Sequence, residues 1–337
     1  MKLGDIKLTP LLDTLRLQKI SDEVYFSKKY NHYISNSRLS LLNPKQEGSP
    51  EKFFEGFKDQ GYVSAFELGS AVHEIVLQND LFELAPDIGK PTAKLGAMAD
   101  ELYKVFLNRE VTEDDVIKAS DKINYYKGKM NKDKIDKVLS ASLPYWEAKK
   151  NISSDKELIF LDSKTRETVI SCVNSLTTNK YVQNLLHPTG IIEDPISENE
   201  QAILLDVLAE MPDGKSTILH LKSKLDNYTI DKETGTITIN DVKTIGKILS
   251  EMDNNIEKFH YNREIGMYMY LLIECAKKFY NIENPTFNAN YLVVSTVPNY
   301  YSKVRSITKL ELANGFREFV SLLKYAAYLM CYKGYAF

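Results

Sequence analysis

Three residues stand out because their types and spacing could do chemistry. They are Asp226, Asp241 and Lys243, in "LHLKSKLDNYTIDKETGTITINDVKTIG", residues 219–246. Two β-rich arms flank "DKETGT", a turn in which Gly235 can take positive φ and Asp231 can bond locally. A four-residue loop, Lys232–Gly235, sets the register. Asp231 then faces Thr236, Ile230 faces Ile237, Tyr228 faces Ile239, Asp226 faces Asp241 and Lys224 faces Lys243. Directly opposed residues have Cβ atoms about 4.5–5.5 Å apart, and period-2 alternation puts Lys224, Asp226, Asp241 and Lys243 on one face. Two opposed carboxylates cost up to about 1 kcal/mol. A divalent cation between them reverses that sign, and Mg²⁺ favours one or two carboxylates plus waters and phosphate oxygens. Lys243 points at the same place, where an ammonium can hold a water or stabilise charge on a phosphate. A plainer arrangement uses the same residues: an exposed hairpin with Asp226 bridged to Lys224 or Lys243. A one-residue bulge would change the register.

Other polar residues could converge on this pair. His73 lies in a helical stretch, residues 64–78, inside a wide apolar arc with Phe66, Gly69, Val72 and Val76. It points into the protein, where a lone histidine is more often a hydrogen-bonded core residue than a ligand. Glu200 precedes the apolar run "AILLDVLAE", where a carboxylate is usually a solvated end; Asp206, inside the run, is the weaker candidate. Glu264 and Tyr268 stand four apart on a helix and share a face, with Tyr261 one turn earlier; interfacial tyrosines on an amphipathic helix would look the same.

The elements that must position these residues follow from periodicity. Residues 1–60 mix short helical patches with turns; "YISNSRLSLLNP" reads as a short helix capped by Ser35 or Ser37 and stopped by Pro44. Residues 92–150 carry amphipathic helical patterns, giving a helical insertion over 87–155 within one domain spanning 1–337. "SSDKELIFLDSKTRETVISCVNSLTTNKYVQNLL" predicts two helices, the second capped by Ser163. Then come three β-rich runs, a helix over about 253–280, strands at "NANYLVVSTV" and "YSKVRSIT", and a closing helix over 309–331. Helices, three strands, helix, two strands and helix make an α/β core with a mixed sheet.

Composition narrows the class. The 337 residues are enough for one large or two modest domains, and 43% hydrophobic with 26% charged residues is ordinary for a soluble chain. The net charge of −3 disfavours coating duplex DNA over a wide face, while leaving room for a local basic groove. Cys172, Cys275 and Cys331 lie far apart without CxxC spacing, against a zinc or iron–sulfur site and for a reducing compartment. No apolar run of about 18 residues occurs, so the expected location is cytoplasmic.

Taken in order, these pieces resemble the PD-(D/E)XK nuclease superfamily, and within it the phage-type exonucleases similar to exonuclease VIII, lambda exonuclease and RecB-like nuclease domains. "LGSAVHEIVL" looks like the G-x-x-x-H helix and matches His73. "SENEQAIL" looks like the glutamate-bearing strand entry and matches Glu200, with Glu198 as fallback. "KSKLD" is similar to K-x-R-x-D, giving Asp226 with Lys224 in the arginine place. "NDVKT" is the D-x-K element, giving Asp241 and Lys243. "YNREIGMY" resembles Q-x-x-x-Y, with Tyr268 matching and Glu264 where the family has Gln. The resemblance spans about residues 35–330 and implies a restriction-endonuclease-like core, αβββαβ, with a central mixed sheet flanked by helices. It implies that Asp226, Asp241 and the Val242 carbonyl hold Mg²⁺ or Mn²⁺, that His73 and Glu200 complete the site, and that Lys243 positions water or stabilises the pentavalent phosphate. It leaves Lys224, Glu264 and Tyr268 in DNA-binding or supporting roles. The activity implied is exonucleolytic hydrolysis of linear double-stranded DNA in recombination or repair, in a bacterial or phage-infected cell, with a ring-shaped homo-oligomer and a single-strand annealing protein as partners. An endonuclease or nickase of the same fold, and a non-catalytic DNA-binding recombination partner, are the alternatives.

Overall fold

The structure is a computed structural model that describes residues 3–57, 67–126, 128, 130–188, 190 and 194–333. The chain forms two compact units, one from 1–65 and 174–337, the other from 66–173.

The first unit is built on a six-stranded sheet: β1 (Lys7–Gln18), β4 (Ile196–Glu210), β5 (Ser216–Asp231), β6 (Thr236–Ile245), β7 (Thr286–Ser295) and β8 (Ser302–Ser306), hydrogen-bonded in that order. All neighbours are antiparallel except β6 and β7, which run parallel. The sheet is therefore mixed and mostly antiparallel. Short helices α1 (Asp22–Tyr25), α2 (Asn36–Ser40) and α3 (Pro50–Glu55) follow β1. Further on come α9 (Lys180–Leu186), α10 (Met252–Phe259), α11 (Tyr261–Tyr280) and α12 (Lys309–Tyr332). One apolar cluster joins the strands to α11 and α12, with Tyr228, Ile237, Ile239, Leu271, Leu272 and Phe319 at its centre.

The second unit holds α4 (Glu67–Leu77), α5 (Ala93–Phe106), α6 (Glu113–Ile123), α7 (Lys132–Lys150) and a parallel pair, β2 (Phe82–Leu84) with β3 (Glu157–Ile159). It has its own core of Met98, Leu102, Val116, Val138, Tyr145 and Trp146. Helix α8 (Ser163–Thr178) runs from the second unit's residues into the first's.

Local chemistry sets most boundaries. Ser35 caps α2 through the Arg38 amide, as expected, and a Thr308–Glu311 capping box opens α12. Three expectations are corrected. Residues 7–18 form a twelve-residue strand rather than helical patches and turns; "KLTPLLDTLRLQ" lacks alternation and contains Pro10, which an edge strand tolerates. The helix expected over 253–280 breaks at His260, which takes left-handed backbone at φ 53°. In "SSDKELIFL", Glu157–Ile159 is a strand, and Asp162, not Ser163, accepts the Thr165 amide that opens α8. Residues 64–66 of the first helical stretch, with Phe66, lie outside the described residues.

Helices α11 and α12 meet at a pair of glycines. A Cβ on Gly315 would sit 1.9 Å from the Asn262 carbonyl oxygen, and one on Gly266 would sit 2.5 Å from the Gly315 backbone. That closeness sets the position of the first turn of α11, which carries Tyr261 and Glu264. Gly315→Ala is expected to destabilise the protein by about 1–3 kcal/mol through overpacking against backbone, read as a lower denaturant midpoint with an unchanged m-value.

Candidate active site

The β5–β6 hairpin follows the register set by its turn. Asp231 pairs with Thr236, and the ladder continues to Asn227 opposite Asn240. Asp231 accepts from the Glu233 and Thr234 amides, and Gly235 takes φ 66°. The ladder stops one pair short of Asp226 and Asp241. At that point the Asp226 carboxylate accepts the Val242 amide at 2.7 Å, a side chain standing where a strand partner would be. Beyond it the two strands part. The free edge of β5 is taken by Ile34, whose amide donates to the His220 carbonyl and whose carbonyl accepts from Lys222. Strand β6 remains paired to β7 through Ile245, so Asp241 and Lys243 stay on a rigid support.

A chain of buried amides pins the sheet just before this fork. The Asn227 side chain donates to Asn199 at 2.7 Å, Asn240 to Asn227 at 2.7 Å, Asn290 to Asn240 at 3.1 Å, and the Ser306 hydroxyl to Asn290 at 2.8 Å. Five neighbouring strands are tied in one row. A slip of one residue would leave these polar groups unpartnered in the interior, which costs about 1–3 kcal/mol each.

At the fork Lys243 Nζ lies 2.7 Å from Asp241 Oδ2 and 3.2 Å from Glu264 Oε2, with the Tyr261 ring centroid at 4.9 Å. The Asp241 side chain is 1% exposed. Its contact with Lys243 is an ion pair without hydrogen-bond alignment, and neither of its oxygens accepts a well-aligned hydrogen bond from a described residue. Glu200 lies across from Asp226 at a gap in the β4–β5 ladder, between the pairs Asn199–Asn227 and Gln201–Leu225. Its backbone is left-handed, φ 51°, a conformation that costs a non-glycine residue about 1–3 kcal/mol. Its carboxylate is 2.6 Å from Lys224 Nζ, which also reaches Asp22 at 2.7 Å. Asp22, a site neighbour that sequence reasoning did not single out, arrives from the opposite end of the chain on α1. Nothing local marks it; only the pairing of distant segments does.

Burial and like charge govern the electrostatics. Burial first, then the like charges of Asp226 and Glu264, push the Asp241 carboxyl up to about 8 against the pull of Lys243. Burial likewise pushes Asp226 up to about 6, opposed by Lys243 and the Val242 amide. Burial alone would lower Lys243, yet Asp241, Glu264 and Asp226 together raise it well above the ordinary lysine range. The lysine's rise speaks for a strong pair, whereas the aspartates' rise speaks against one. Both hold where the ammonium stays charged and the two aspartates, close together and facing it, retain a proton between them. Tyr268, buried on the same helix as Glu264, is raised well above its usual range by burial and then by Glu264, Asp241 and Asp226. On Lys224, burial lowers and the nearby Glu200 and Asp22 carboxylates raise, and the carboxylates win.

The structure thus brings together Asp226, Asp241, Lys243, Glu264 and Tyr268, with Glu200 and Lys224 joined beside them. Val242 contributes main chain: its amide and carbonyl point to the same strand edge, toward β5. His73 lies on α4 of the second unit and is half-buried. Asp206 pairs with His220 at 2.7 Å instead of joining this cluster. Glu198 forms an ion pair with Lys19 at 3.0 Å. Among the described residues no helix is long and apolar enough to cross a membrane.

No protein-family model and no curated protein matches the chain. It is similar to the crystal structure of a "Putative exonuclease" from Eubacterium rectale, at TM-score 0.44 and 9% identity, covering 92% of this chain and 88% of that chain. A likeness at that level fixes neither a fold family nor an activity.

The raised carboxyls have a sign. A folded-state pKa above the unfolded one stabilises the fold at low pH, and the contribution is lost as pH rises through the folded value. Without divalent ions, stability should therefore fall from just above the ordinary aspartate value of 3.8 up to about 8, most steeply below about 6, where Asp226 and Asp241 both retain protons. The slope is at most about 1.4 kcal/mol per pH unit for each proton retained. Asp241→Asn should flatten that slope, as read by denaturant titrations across the window; an equally steep fall in the variant would refute the assignment.

Proposed function

We propose that the fork between β5 and β6 is the active site of a metal-dependent nuclease with a restriction-endonuclease-like core, and that its substrate is linear duplex DNA. The observation that carries this reading is Asp241, a carboxylate 1% exposed, set beside Asp226 and paired to a lysine two residues away that also faces Glu264. A purely structural salt bridge has no need of a second and third carboxylate around one ammonium. An oxygen-donor set short of positive charge fits a hard divalent cation.

The groups that would hold Mg²⁺ or Mn²⁺ are the Asp226 and Asp241 carboxylates and the Val242 carbonyl, with Glu200 beside them. The sequence resemblance adds His73. Such an ion supplies charge to a phosphodiester's oxygens and acidity to a bound water. The chain's own residues do the rest. Lys243 brings an ammonium to the edge of the carboxylate cluster, where it can orient a water for attack or face a phosphate oxygen that gains charge. Glu264 and the Tyr261 ring hold that ammonium from the helix side. The Val242 amide fixes the Asp226 carboxylate. Lys224 keeps Glu200 in place from the other side and offers a second cation toward DNA.

Linear duplex DNA with Mg²⁺ should be degraded from its ends, and covalently closed circles should survive. Lys243→Ala should lower the rate by about 10²–10³-fold; because it also strips the buried carboxylates of their ammonium it should lower the thermal midpoint, so the rates are compared at a temperature where both proteins are folded. Full activity in that variant removes the mechanism, and cleavage of closed circles turns the exonuclease into an endonuclease or nickase. Calorimetry with Mn²⁺ near neutral pH should show proton release on binding, detected as a dependence of the heat on buffer ionisation enthalpy, because the carboxyls must ionise to ligate. Asp241→Ala should abolish that binding. Duplex binding with neither cleavage nor Mn²⁺ uptake would instead mark a non-catalytic DNA-binding protein.

A further inference from the structure

A second cluster of ligating side chains lies on the same strand as Asp226, six residues earlier and so about 20 Å away. His220 Nδ1 is 2.7 Å from Asp206 Oδ1, across the β4–β5 ladder. A carboxylate only accepts, so Nδ1 carries a proton, and in the neutral ring Nε2 presents its lone pair. A carboxylate behind one ring nitrogen is the usual support of a metal-bound histidine. The second ring is His32, whose centroid is 5.2 Å from that of His220. Two imidazoles bound to one tetrahedral ion at about 2.0–2.1 Å have centroids about 5.3 Å apart. His220 and Asp206 are 33% and 21% exposed, which leaves room for waters in the remaining positions.

We propose that His32 and His220, with Asp206 orienting His220, form a binding site for a borderline transition-metal ion of the Zn²⁺ class, distinct from the oxygen-donor site at the fork. The ligand type selects the ion: imidazole suits Zn²⁺ and Cu²⁺, whereas Mg²⁺ prefers oxygen. The placement gives the ion a task. His32 lies two residues before Ile34, which completes the edge of β5 where β6 leaves it. The same N-terminal segment supplies Asp22 to Lys224 and the Tyr25 carbonyl to Lys222. An ion shared by His32 and His220 staples that segment to β5 and holds the fork open from outside.

The test is calorimetric titration of the full chain with Zn²⁺ alone, in excess Mg²⁺ to occupy oxygen-donor sites. One Zn²⁺ should bind and raise the thermal midpoint. His32→Gln and His220→Gln should each weaken binding at least about tenfold, as should Asp206→Asn, and Asp241→Ala should leave it unchanged. Unchanged affinity in His32→Gln overturns the proposal. If the histidine variants lower the ion-free midpoint, the parent's Cu²⁺ electron paramagnetic resonance spectrum decides: hyperfine coupling from two imidazole nitrogens supports the site, and its absence overturns it. Neither result bears on the nuclease reading, which stands on Asp241 and Lys243.

Discussion

The arrangement depends on one constraint: a carboxylate at Asp241 that is almost fully removed from water and only partly compensated. Burying a charge is costly unless it is paired and hydrogen-bonded. Among the described residues Lys243 faces Asp241, Glu264 and the field of Asp226, and Lys224 adds a weaker pull on Asp226, so carboxylates outnumber ammonium groups. Such a group persists only where the surrounding structure over-determines it. The surroundings do so in three ways: the parallel pairing of β6 with β7, the asparagine row across the sheet, and the glycine contact that fixes α11.

These three supports act at different ranges. The β6–β7 ladder holds Asp241 and Lys243 in register with Tyr291 and Val293, both fully buried or nearly so. The amide row ties β4 to β8 immediately before the strands part, so the divergence begins at a defined pair instead of drifting along the hairpin. The Gly266–Gly315 approach positions Glu264 and Tyr261 against the lysine from the helix layer. Removing any one leaves the others to bear a destabilised charge cluster, so their effects should couple rather than add.

The parts legible in the sequence were those decided locally. The hairpin register followed from "DKETGT", because Asp231 and Gly235 fix the loop by their own backbone preferences. The central strand runs after residue 196 read correctly because their apolar content is dense, and the closing helix because its apolar residues recur with helical spacing. The end of the ladder was not legible, because Asp226 and Val242 exchange a side-chain bond that no pattern distinguishes from an ordinary pair. Strand β1 was missed for a related reason: its helix-forming leucines and its proline are overridden by pairing with β4. The break at His260 has no glycine or proline to announce it. Asp22, and the pairing of Ile34 with the vacated edge of β5, depend on segments nearly two hundred residues apart, and periodicity carries no such information.

The fork also bears on what net charge can say. The chain as a whole is slightly acidic, and the carboxylate cluster makes the site more so. An anionic substrate approaching this cluster without a cation would meet repulsion from Asp226, Asp241, Glu264 and Glu200, relieved among the described residues by Lys243 and Lys224. At an effective dielectric near 20, two unit charges about 4 Å apart interact by about 4 kcal/mol, so each unneutralised carboxylate matters. For the proposed phosphodiester substrate, neutralising the carboxylates would thus be a condition for approach and not merely an aid to it. On the reading proposed above, the same residues that destabilise the metal-free fold at neutral pH would tie substrate entry to metal binding, and the lysines would then act on the phosphate rather than on their neighbours.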